Sequence, residues 1–289
     1  MGLGGRGVST VTVSNQAQIE LWQGRVGEKW AALQVRLDAM LAQATTALKE
    51  RAGPVSGLRL LDIGCGAGET CTVWLTGGAD VTGVDVSTPM LAVAKSRTGG
   101  EAALVEADAA IWRAETPFDL AVSQFGLMFF EDADAAFANI AANIRPGGRL
   151  LFSCWRPIPQ NQWVTTPMSA IKDLLAPVAP SLPPATPRPG PFALADKGRL
   201  AAILDRAGFV DVKIAPFDFD VVLAMNGGVD EAVRMVMTIG PTGAALVEAG
   251  EAARGAAPER LSAALAPHER DGVVTLGGAI WLVDARRPG

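Results

Sequence analysis

The chain has 289 residues, of which 49% are hydrophobic and 19% are charged, and its formal net charge is −5. This composition excludes a wholly disordered chain, and scattered Lys and Arg residues disfavour nucleic acid as a partner because binding phosphates requires a basic stripe. Three cysteines without CxxC spacing and a single histidine predict reduced thiols and no metal site. No signal-peptide pattern and no apolar run of 18 residues occurs, so we expect a soluble, cytoplasmic protein without a membrane span.

The first predicted element is helical. Apolar residues recur at steps of three and four between positions 16 and 50. Gly24 and Gly27 predict a break or a bend in this helix, and Gly53 followed by Pro54 predicts its end. Residues 1–57 are therefore expected to form an N-terminal helical cover.

Short apolar strands and helices then alternate between positions 58 and 156. The strands are predicted at 58–63, 80–86, 102–106, 118–123 and 149–155. The helices are predicted at 69–75, from Thr88 onwards and at 132–144. Such alternation is typical of an α/β domain in which a parallel sheet is covered by helices on both faces.

The pattern changes after this core. Residues 157–195 are rich in proline, with a helix near 166–175, and such a long stretch predicts a cap over a site. Residues 196–289 are expected to complete the core with a helix at 196–207 and strands at 210–223 and 279–285. Short helices at 227–268 would form a second, lid-like insertion.

A glycine turn follows the first strand. Gly64, Gly66 and Gly68 precede a predicted helix. Glycines allow a tight turn, a close approach of a ligand to the backbone, and exposed amide N–H groups at the helix start. The turn alone indicates a nucleotide-like ligand, and an ordinary structural turn is the alternative.

Three acidic residues end the first three strands. They are Asp62, Asp85 and Asp108, and Asp85 follows Gly66 by 19 residues. The carboxyl ends of parallel strands share one edge of a sheet, and an acid at the position of Asp85 binds ribose hydroxyls in Rossmann-like sites. Asp62 would accept hydrogen bonds from a cofactor amine or orient the loop. For each acid taken alone, a solvated loop carboxylate is the alternative.

These motifs resemble those of a known family. The segments are LLDIGCGAG, VTGVDVSTPML, VEADA, FDLAVSQFGLMFF and RPGGRLLFSCW. They resemble class I S-adenosylmethionine-dependent methyltransferases, in particular bacterial small-molecule members related to the quinone-biosynthesis enzymes. The resemblance covers 58–156 and also the aromatic segment 21–30. It implies a Rossmann-like, seven-stranded, mostly parallel sheet with an antiparallel strand near one edge.

The resemblance also implies how S-adenosylmethionine would be held at its methionine end. The residues implied along the methionine and ribose are Gly64, Cys65 and Gly66, with Asp62 near the amino group. Gln124 and Phe125, after the fourth strand, would lie near the sulfonium.

The adenosine end would be held by residues that follow the second and third strands. Asp85 would bind the ribose hydroxyls, and Val86 and Met90 would flank the adenine. Asp108 would accept a hydrogen bond from the adenine amine, and Ala109 would donate its backbone N–H to the ring.

The methyl acceptor is expected to be a small molecule that reacts through oxygen, nitrogen or carbon. In-line displacement would then depend mainly on proximity and desolvation. Trp22, Trp155, Arg156 and Trp163 either line a substrate pocket or pack as ordinary cap residues. His268, the single histidine, is either a general base or an exposed loop residue.

Two other functions are weighed against this one. Asp62, and Glu69 in place of the third glycine of the dehydrogenase pattern, disfavour an NAD-dependent oxidoreductase. A non-catalytic S-adenosylmethionine-binding module stays open, because binding residues say nothing directly about catalysis. The acceptor, the use of a general base and the oligomeric state are left open by the sequence.

Overall fold

The computed structural model of the protein describes residues 15–176 and 188–289. Parts of the predicted N-terminal cover (1–14) and of the predicted cap (177–187) therefore lie outside the described residues. The strands form one sheet and are β1 (Arg59–Ile63), β2 (Asp80–Asp85), β3 (Ala103–Glu106), β4 (Phe118–Gln124), β5 (Ile144–Trp155), β6 (Val210–Ala224), β7 (Glu269–Arg270) and β8 (Val273–Arg286).

The sheet has the strand order β3-β2-β1-β4-β5-β8-β6, and β7 pairs with β8. Strands β1 to β5 run parallel to one another. Strand β8 is antiparallel to both of its neighbours, β5 and β6. The prediction of a mostly parallel Rossmann-like sheet with an antiparallel strand near one edge is thus confirmed. The two-residue β7 was not predicted and raises the number of strands to eight.

Helices cover the sheet, which explains why its central strands are apolar on both faces. Leu60 and Leu61 of β1 and Leu120 and Val122 of β4 are all buried. The helices are α1 (Gln16–Gln23), α2 (Arg25–Ala32), α3 (Gln34–Ala52), α4 (Glu69–Thr76), α5 (Thr88–Arg97), α6 (Ala133–Asn143), α7 (Gln162–Ile171), α8 (Lys197–Arg206), α9 (Gly228–Thr238), α10 (Gly240–Ala249) and α11 (Glu251–Leu265).

The N-terminal cover consists of three helices rather than one, with boundaries at Gly24 and Leu33. Gly27 lies inside α2 and does not break it. A Cβ atom at Gly27 would lie 1.9 Å from the carbonyl oxygen of Trp22 and 2.4 Å from Oγ of Ser87. Gly27 therefore allows α2 to pack tightly against the loop that follows β2, and this requirement is invisible in a local sequence pattern.

Two further elements differ from their predicted bounds. Helix α7 begins at Gln162, four residues before the predicted start. Strand β8 begins at Val273 instead of 279, because its two glycines interrupt the apolar pattern. One of them, Gly278, leaves room for β6, since a Cβ atom there would lie 2.5 Å from Cγ2 of Val221.

The cover and the C-terminal helices are joined by polar contacts. Nζ of Lys29 on α2 donates to the carbonyl oxygen of Thr238 at the end of α9. Glu231 on α9 accepts a hydrogen bond from the amide of Gly227 (3.0 Å) and pairs with Arg36 on α3 (3.1 Å). These contacts fix α9 against the cover. None of the helices in the described ranges has the length and apolar character required to cross a membrane.

Candidate functional site

A large cavity lies at the carboxyl ends of the parallel strands. It encloses about 1170 Å³ with its mouth included, and its lining includes residues from the ends of β1, β2 and β4 and from the loop after β3. From β1 the chain builds the sheet first toward β3 and then, from β4, in the opposite direction. Ligands of open α/β sheets bind at such a switch point.

The glycine turn after β1 passes close to the loop after β4. Gly64 has a φ of +66°, and a Cβ atom there would lie 2.9 Å from Cα of Gly126. Gly66 has a φ of +53°, and its Cβ would lie 2.7 Å from Cε of Met90. Glycine is therefore favoured at both positions by the backbone conformation, and at Gly64 also by space, because the close atom there belongs to the backbone. Gly64 and Met90 line the cavity, whereas Gly66 packs beside it.

Asp85 connects the glycine turn to helix α5. Its Oδ2 accepts a hydrogen bond from the amide of Gly66 (2.8 Å), and its Oδ1 accepts one from the amide of Ser87 (2.8 Å). Burial raises the pKa of Asp85, and the backbone hydrogen bonds oppose this rise. Asp85 and Val86 both line the cavity.

Asp108 provides a second carboxylate in the cavity. Its Oδ1 accepts hydrogen bonds from the amide of Ala110 (2.9 Å) and from Nδ2 of Asn15 on the N-terminal cover (3.3 Å). Ala109 lines the cavity beside it. The structure thus brings together the two acids that were predicted at the adenosine end.

Asp62 lies beneath the turn and does not line the cavity. It is fully buried, and its Oδ2 accepts hydrogen bonds from Oγ1 of Thr70 (2.5 Å) and from Sγ of Cys71 (3.4 Å). Burial raises its pKa to about 6. This geometry corrects the expectation that Asp62 lies near a cofactor amine and favours the alternative role, orientation of the loop and of the first turn of α4.

Cys65 is also behind the cavity wall rather than on it. A Cβ atom at Gly83 would lie 2.8 Å from Sγ of Cys65 and 3.0 Å from Sγ of Cys71, so both thiols pack against β2. The Cys71 thiol and burial raise the pKa of Cys65. The side chain of Cys65 therefore packs as an uncharged group, and only its backbone is part of the turn.

The side chain of Glu69 does not line the cavity either. Its carboxylate pairs with Arg97 on α5, and Arg97 also pairs with Asp38 on α3 (2.8 Å). The sequence argument that Glu69 would disfavour a pyrophosphate therefore has no support in the geometry.

The loop after β4 is organised by a serine that sequence reasoning missed. Oγ of Ser123 donates to the carbonyl oxygen of Ile63 (2.7 Å) and accepts from the amide of Gly126 (3.2 Å). Phe125, between them, has a φ of +61°, which is uncommon for a residue with a side chain and often marks a functional site. In the sequence, the only signal of this role was a serine at the end of an apolar strand.

Gln124 and Phe125, which the sequence analysis expects near the sulfonium, both line the cavity. The Phe125 ring stacks on Trp155 with a centroid distance of 4.7 Å. Oε1 of Gln124 is buried without a hydrogen-bond partner among the described residues. A buried acceptor of this kind suits a ligand that brings an N–H or O–H donor.

Three of the four predicted pocket residues line the cavity, namely Trp22, Trp155 and Trp163. Arg156 does not. Successive residues of a strand point to opposite faces, so the residue after Trp155 is turned away from the cavity. The Arg156 guanidinium pairs with Asp218 (2.6 Å) and lies over the ring of Trp281.

His268 also lies outside the cavity lining. It ends a short 3-10 turn between α11 and β7. This position agrees with the alternative role of a loop residue and gives no support to a general base.

Other lining residues were not assigned to a site from the sequence. Several follow an apolar stripe of α3, which is indistinguishable in sequence from ordinary core packing. Lining residues that the sequence did not assign include Leu37, Met40 and Leu41 of α3, together with Phe130 and Ile239.

Comparison with known proteins identifies the part of the chain that builds this cavity edge. Residues 61–152 match the family model described as "Methyltransferase domain". This stretch of the chain is similar to a methyltransferase domain, as the sequence motifs predicted. It holds the glycine turn, Asp85 and Asp108. Helices α1 to α3 and everything after 152 lie outside the match.

Curated relatives match over the same region. The chain is 32% identical over 111 residues to malonyl-[acyl-carrier protein] O-methyltransferase of Pseudescherichia vulneris, covering 38% of this chain and 44% of that protein. It is 35% identical over 101 residues to ubiquinone biosynthesis O-methyltransferase of Sinorhizobium medicae, covering 34% and 41%. The chain thus spans less than half the length of either relative.

The fold resembles that of solved methyltransferases over nearly the whole chain. Phosphoethanolamine N-methyltransferase 2 of Haemonchus contortus, in complex with S-adenosyl-L-methionine, superposes with a TM-score of 0.56 and 17% identity. The likeness covers 96% of this chain and 61% of that chain. At this identity it concerns the fold alone.

Proposed function

We propose that this protein transfers a methyl group from S-adenosylmethionine to a small-molecule acceptor. The observation that supports this function best is the placement of Asp85, Asp108 and the Gly64 turn around one cavity of the methyltransferase domain. The solved structure of similar fold binds S-adenosylmethionine. The two curated relatives are named O-methyltransferases, which favours oxygen as the acceptor atom over nitrogen or carbon.

The polar groups of the cavity fit this cofactor. S-adenosylmethionine has no phosphate, so carboxylates can face its hydroxyl and amine donors without charge repulsion. Each carboxylate oxygen of Asp85 accepts one backbone hydrogen bond and keeps capacity for another, which we assign to the ribose hydroxyls. We assign Asp108 to the adenine amine, Ala109 to the ring, and the unpartnered Oε1 of Gln124 to a donor at the methionine end.

The remaining work of the chain is to position the acceptor and to exclude water. When bound, S-adenosylmethionine supplies a methyl group attached to a positively charged sulfur. Transfer of this methyl group releases the sulfur as a neutral thioether, which is a good leaving group. The stacked rings of Phe125 and Trp155 present aromatic faces that stabilise a nearby cation. An apolar enclosure orients the acceptor and keeps solvent away from the reacting atoms.

We propose a matching division of the chain into parts. The core at 58–156 holds the cofactor, whereas the cover (1–57), the cap (157–195) and the C-terminal part (196–289, with the lid at 227–268) enclose the acceptor. In support, Trp22 comes from the cover, Trp163 from the cap and Ile239 from the lid, and all three line the cavity. A cytoplasmic location stays a prediction.

Calorimetric titration with S-adenosylmethionine and S-adenosylhomocysteine tests the cofactor. We expect both to bind the wild-type protein, and Asp108→Ala to weaken binding by about 1–3 kcal/mol through the lost hydrogen bond. Asp80→Ala, an exposed carboxylate at the opposite end of β2 from Asp85, is the control and should bind normally. Unchanged affinity of Asp108→Ala would contradict the assignment of the adenine amine.

Catalysis is tested separately with labelled S-adenosylmethionine. The protein is incubated with a small-molecule extract, and labelled products are identified by mass. Transfer of the label to an acceptor supports the proposal. Tight cofactor binding without any labelled product across extracts would instead indicate the non-catalytic binding module.

A further inference from the structure

We propose that the methyl acceptor is an uncharged, largely apolar ring compound, bound between two groups of aromatic side chains. This inference rests on the proposed function and names the substrate class of the same cavity. We call the acceptor end of the cavity the aromatic chamber; it is lined by Trp22, Trp30, Phe125, Phe129, Trp155 and Trp163.

One wall of the aromatic chamber comes from the N-terminal cover. The ring of Trp22 packs edge-on against Trp30, with centroids 5.4 Å apart, and against Phe129 at 5.2 Å. Trp22 is also fixed through its backbone, because its carbonyl oxygen accepts a hydrogen bond from Oγ of Ser87 (2.7 Å). These rings therefore hold one another in place before any ligand binds.

The other wall comes from the sheet and the cap. Trp155 stacks on Phe125 and contacts Trp163, each at a centroid distance of 4.7 Å. Its other neighbour is Phe219 on β6, at 5.9 Å. Fixed aromatic faces favour flat rings, which can stack on them or meet them edge-on.

Aliphatic side chains complete the chamber. Leu37, Met40 and Leu41 line it from α3, and Ile239 lines it from the junction of α9 and α10. Placing an unpaired charged group against such walls costs several kcal/mol, because the group loses its hydration without gaining a partner. The walls thus select an acceptor that is uncharged in its bound form.

The charges near the chamber also disfavour an anionic acceptor. The charged side chains among the cavity-lining residues are Asp85 and Asp108, both carboxylates. Arg156, the one cation that the sequence proposed for the pocket, pairs with Asp218 and does not line the cavity. In the sequence, 177–187 has no charged residue and 1–14 has only Arg6.

A cationic acceptor is disfavoured for a different reason, namely repulsion by the positive charge of the cofactor. Aromatic faces bind cations as well as neutral rings. In the proposed reaction, however, the cofactor already places a positive charge beside Phe125, and a second cation at the same wall would be repelled. An uncharged ring compound gains the aromatic contacts without this repulsion.

A matched series of naphthalenes tests the inference by calorimetry. The probes are 2-naphthol (neutral), 2-naphthoate (anionic) and 2-naphthylmethylammonium (cationic), each titrated with and without saturating S-adenosylhomocysteine. We expect the neutral probe to bind at least about tenfold more tightly than 2-naphthoate when S-adenosylhomocysteine is present. The cationic probe is compared with the neutral one under saturating S-adenosylmethionine, because only this cofactor carries the positive sulfur, and we expect the neutral probe to bind at least about tenfold more tightly there as well. Equal or tighter binding of the charged probe in either comparison, or no binding of any naphthalene, would overturn the proposal.

A charge substitution makes the test specific to the chamber. Leu41→Lys adds a cation to the lining, so we expect its preference to move toward 2-naphthoate by about tenfold or more. Val35→Lys adds the same charge to an exposed position of α3, where the residue is 65% accessible, and should keep the wild-type preference. The same change in both variants would show that the probes bind elsewhere.

The proposed function fails in a different way. If S-adenosylhomocysteine does not bind, the cofactor assignment is wrong, and the titrations without it still report the preference of the chamber. If S-adenosylhomocysteine binds and the neutral probe is not preferred, only the acceptor class is wrong.

Discussion

The buried carboxyl group of Asp62 makes stability depend on pH in a predictable direction. Burial raises its pKa from the usual 3.8 to about 6. The folded protein therefore holds this proton more strongly than the unfolded chain does. The stabilisation from the protonated form is fully present below pH 4 and is lost as the pH rises through about 6.

The size of this effect follows from the two pKa values. At about 1.4 kcal/mol per pKa unit, the difference corresponds to about 3 kcal/mol of unfolding free energy. Asp62→Asn keeps a neutral group of the same shape at all pH values, and its oxygen can still accept from Thr70. Its NH₂ group would replace Oδ1, which is buried without a partner among the described residues, at a cost that does not vary with pH.

The difference in unfolding free energy between Asp62→Asn and the wild type is therefore the informative quantity. Between pH 4.5 and 7.5 we expect it to change by about 2 kcal/mol in favour of the variant. Urea unfolding followed by the fluorescence of the seven tryptophans measures it. Asp80→Asn, an exposed carboxylate on β2, should change stability by less than about 0.5 kcal/mol. A pH-independent difference for Asp62→Asn would refute the burial argument.

Three further predictions concern the elements that hold the site. Gly27→Ala should lower the unfolding free energy by about 2 kcal/mol or more, because its methyl group would overlap the Trp22 carbonyl. The control Gly255→Ala, at an open helical position, should raise the unfolding free energy by up to about 1 kcal/mol in the same urea assay. Similar effects of the two substitutions would contradict the packing argument. Ser123→Ala removes two hydrogen bonds beside the cavity. It should lower the unfolding free energy and the binding free energy of S-adenosylhomocysteine by about 1–3 kcal/mol each, measured by urea unfolding and by calorimetry. Wild-type values would show that the serine does not hold the loop. Lys29→Met keeps the apolar stem and removes the hydrogen-bond donor between α2 and α9. We expect faster amide hydrogen exchange at the facing ends of these helices, with a loss of unfolding free energy below about 1 kcal/mol. Unchanged exchange would show that this hydrogen bond does not hold the cover against the lid.

The sequence by itself determined the fold class and the edge of the sheet at which the cavity lies. Alternating apolar strands and helices are local patterns, and the carboxyl ends of parallel strands must meet. Asp85 and Asp108 were therefore predicted in the cavity, and both line it. The end of α3 before Gly53 and the Asp196 cap of α8 are local signals of the same kind.

Only the tertiary structure decided which side chains face the cavity. Asp62 and Asp85 both follow the strand pattern, yet the first is buried under the turn and the second lines the cavity. Trp155 and Arg156 are neighbours in sequence and lie on opposite sides of the wall. Side-chain direction at a strand end depends on the elements that pack against it, which local periodicity does not encode.

The aromatic chamber was likewise decided by long-range packing. Its residues come from the cover, from the ends of β4 and β5 and from the cap, which are separated by up to 141 positions between Trp22 and Trp163 (163 − 22 = 141). The sequence named Trp22, Phe125, Trp155 and Trp163 as candidates, but it left open whether the three tryptophans line a cavity or pack in the core, because both require the same side chains. The sequence determined at which edge of the sheet the cavity lies, and the meeting of distant helices over that edge decided the shape of the cavity.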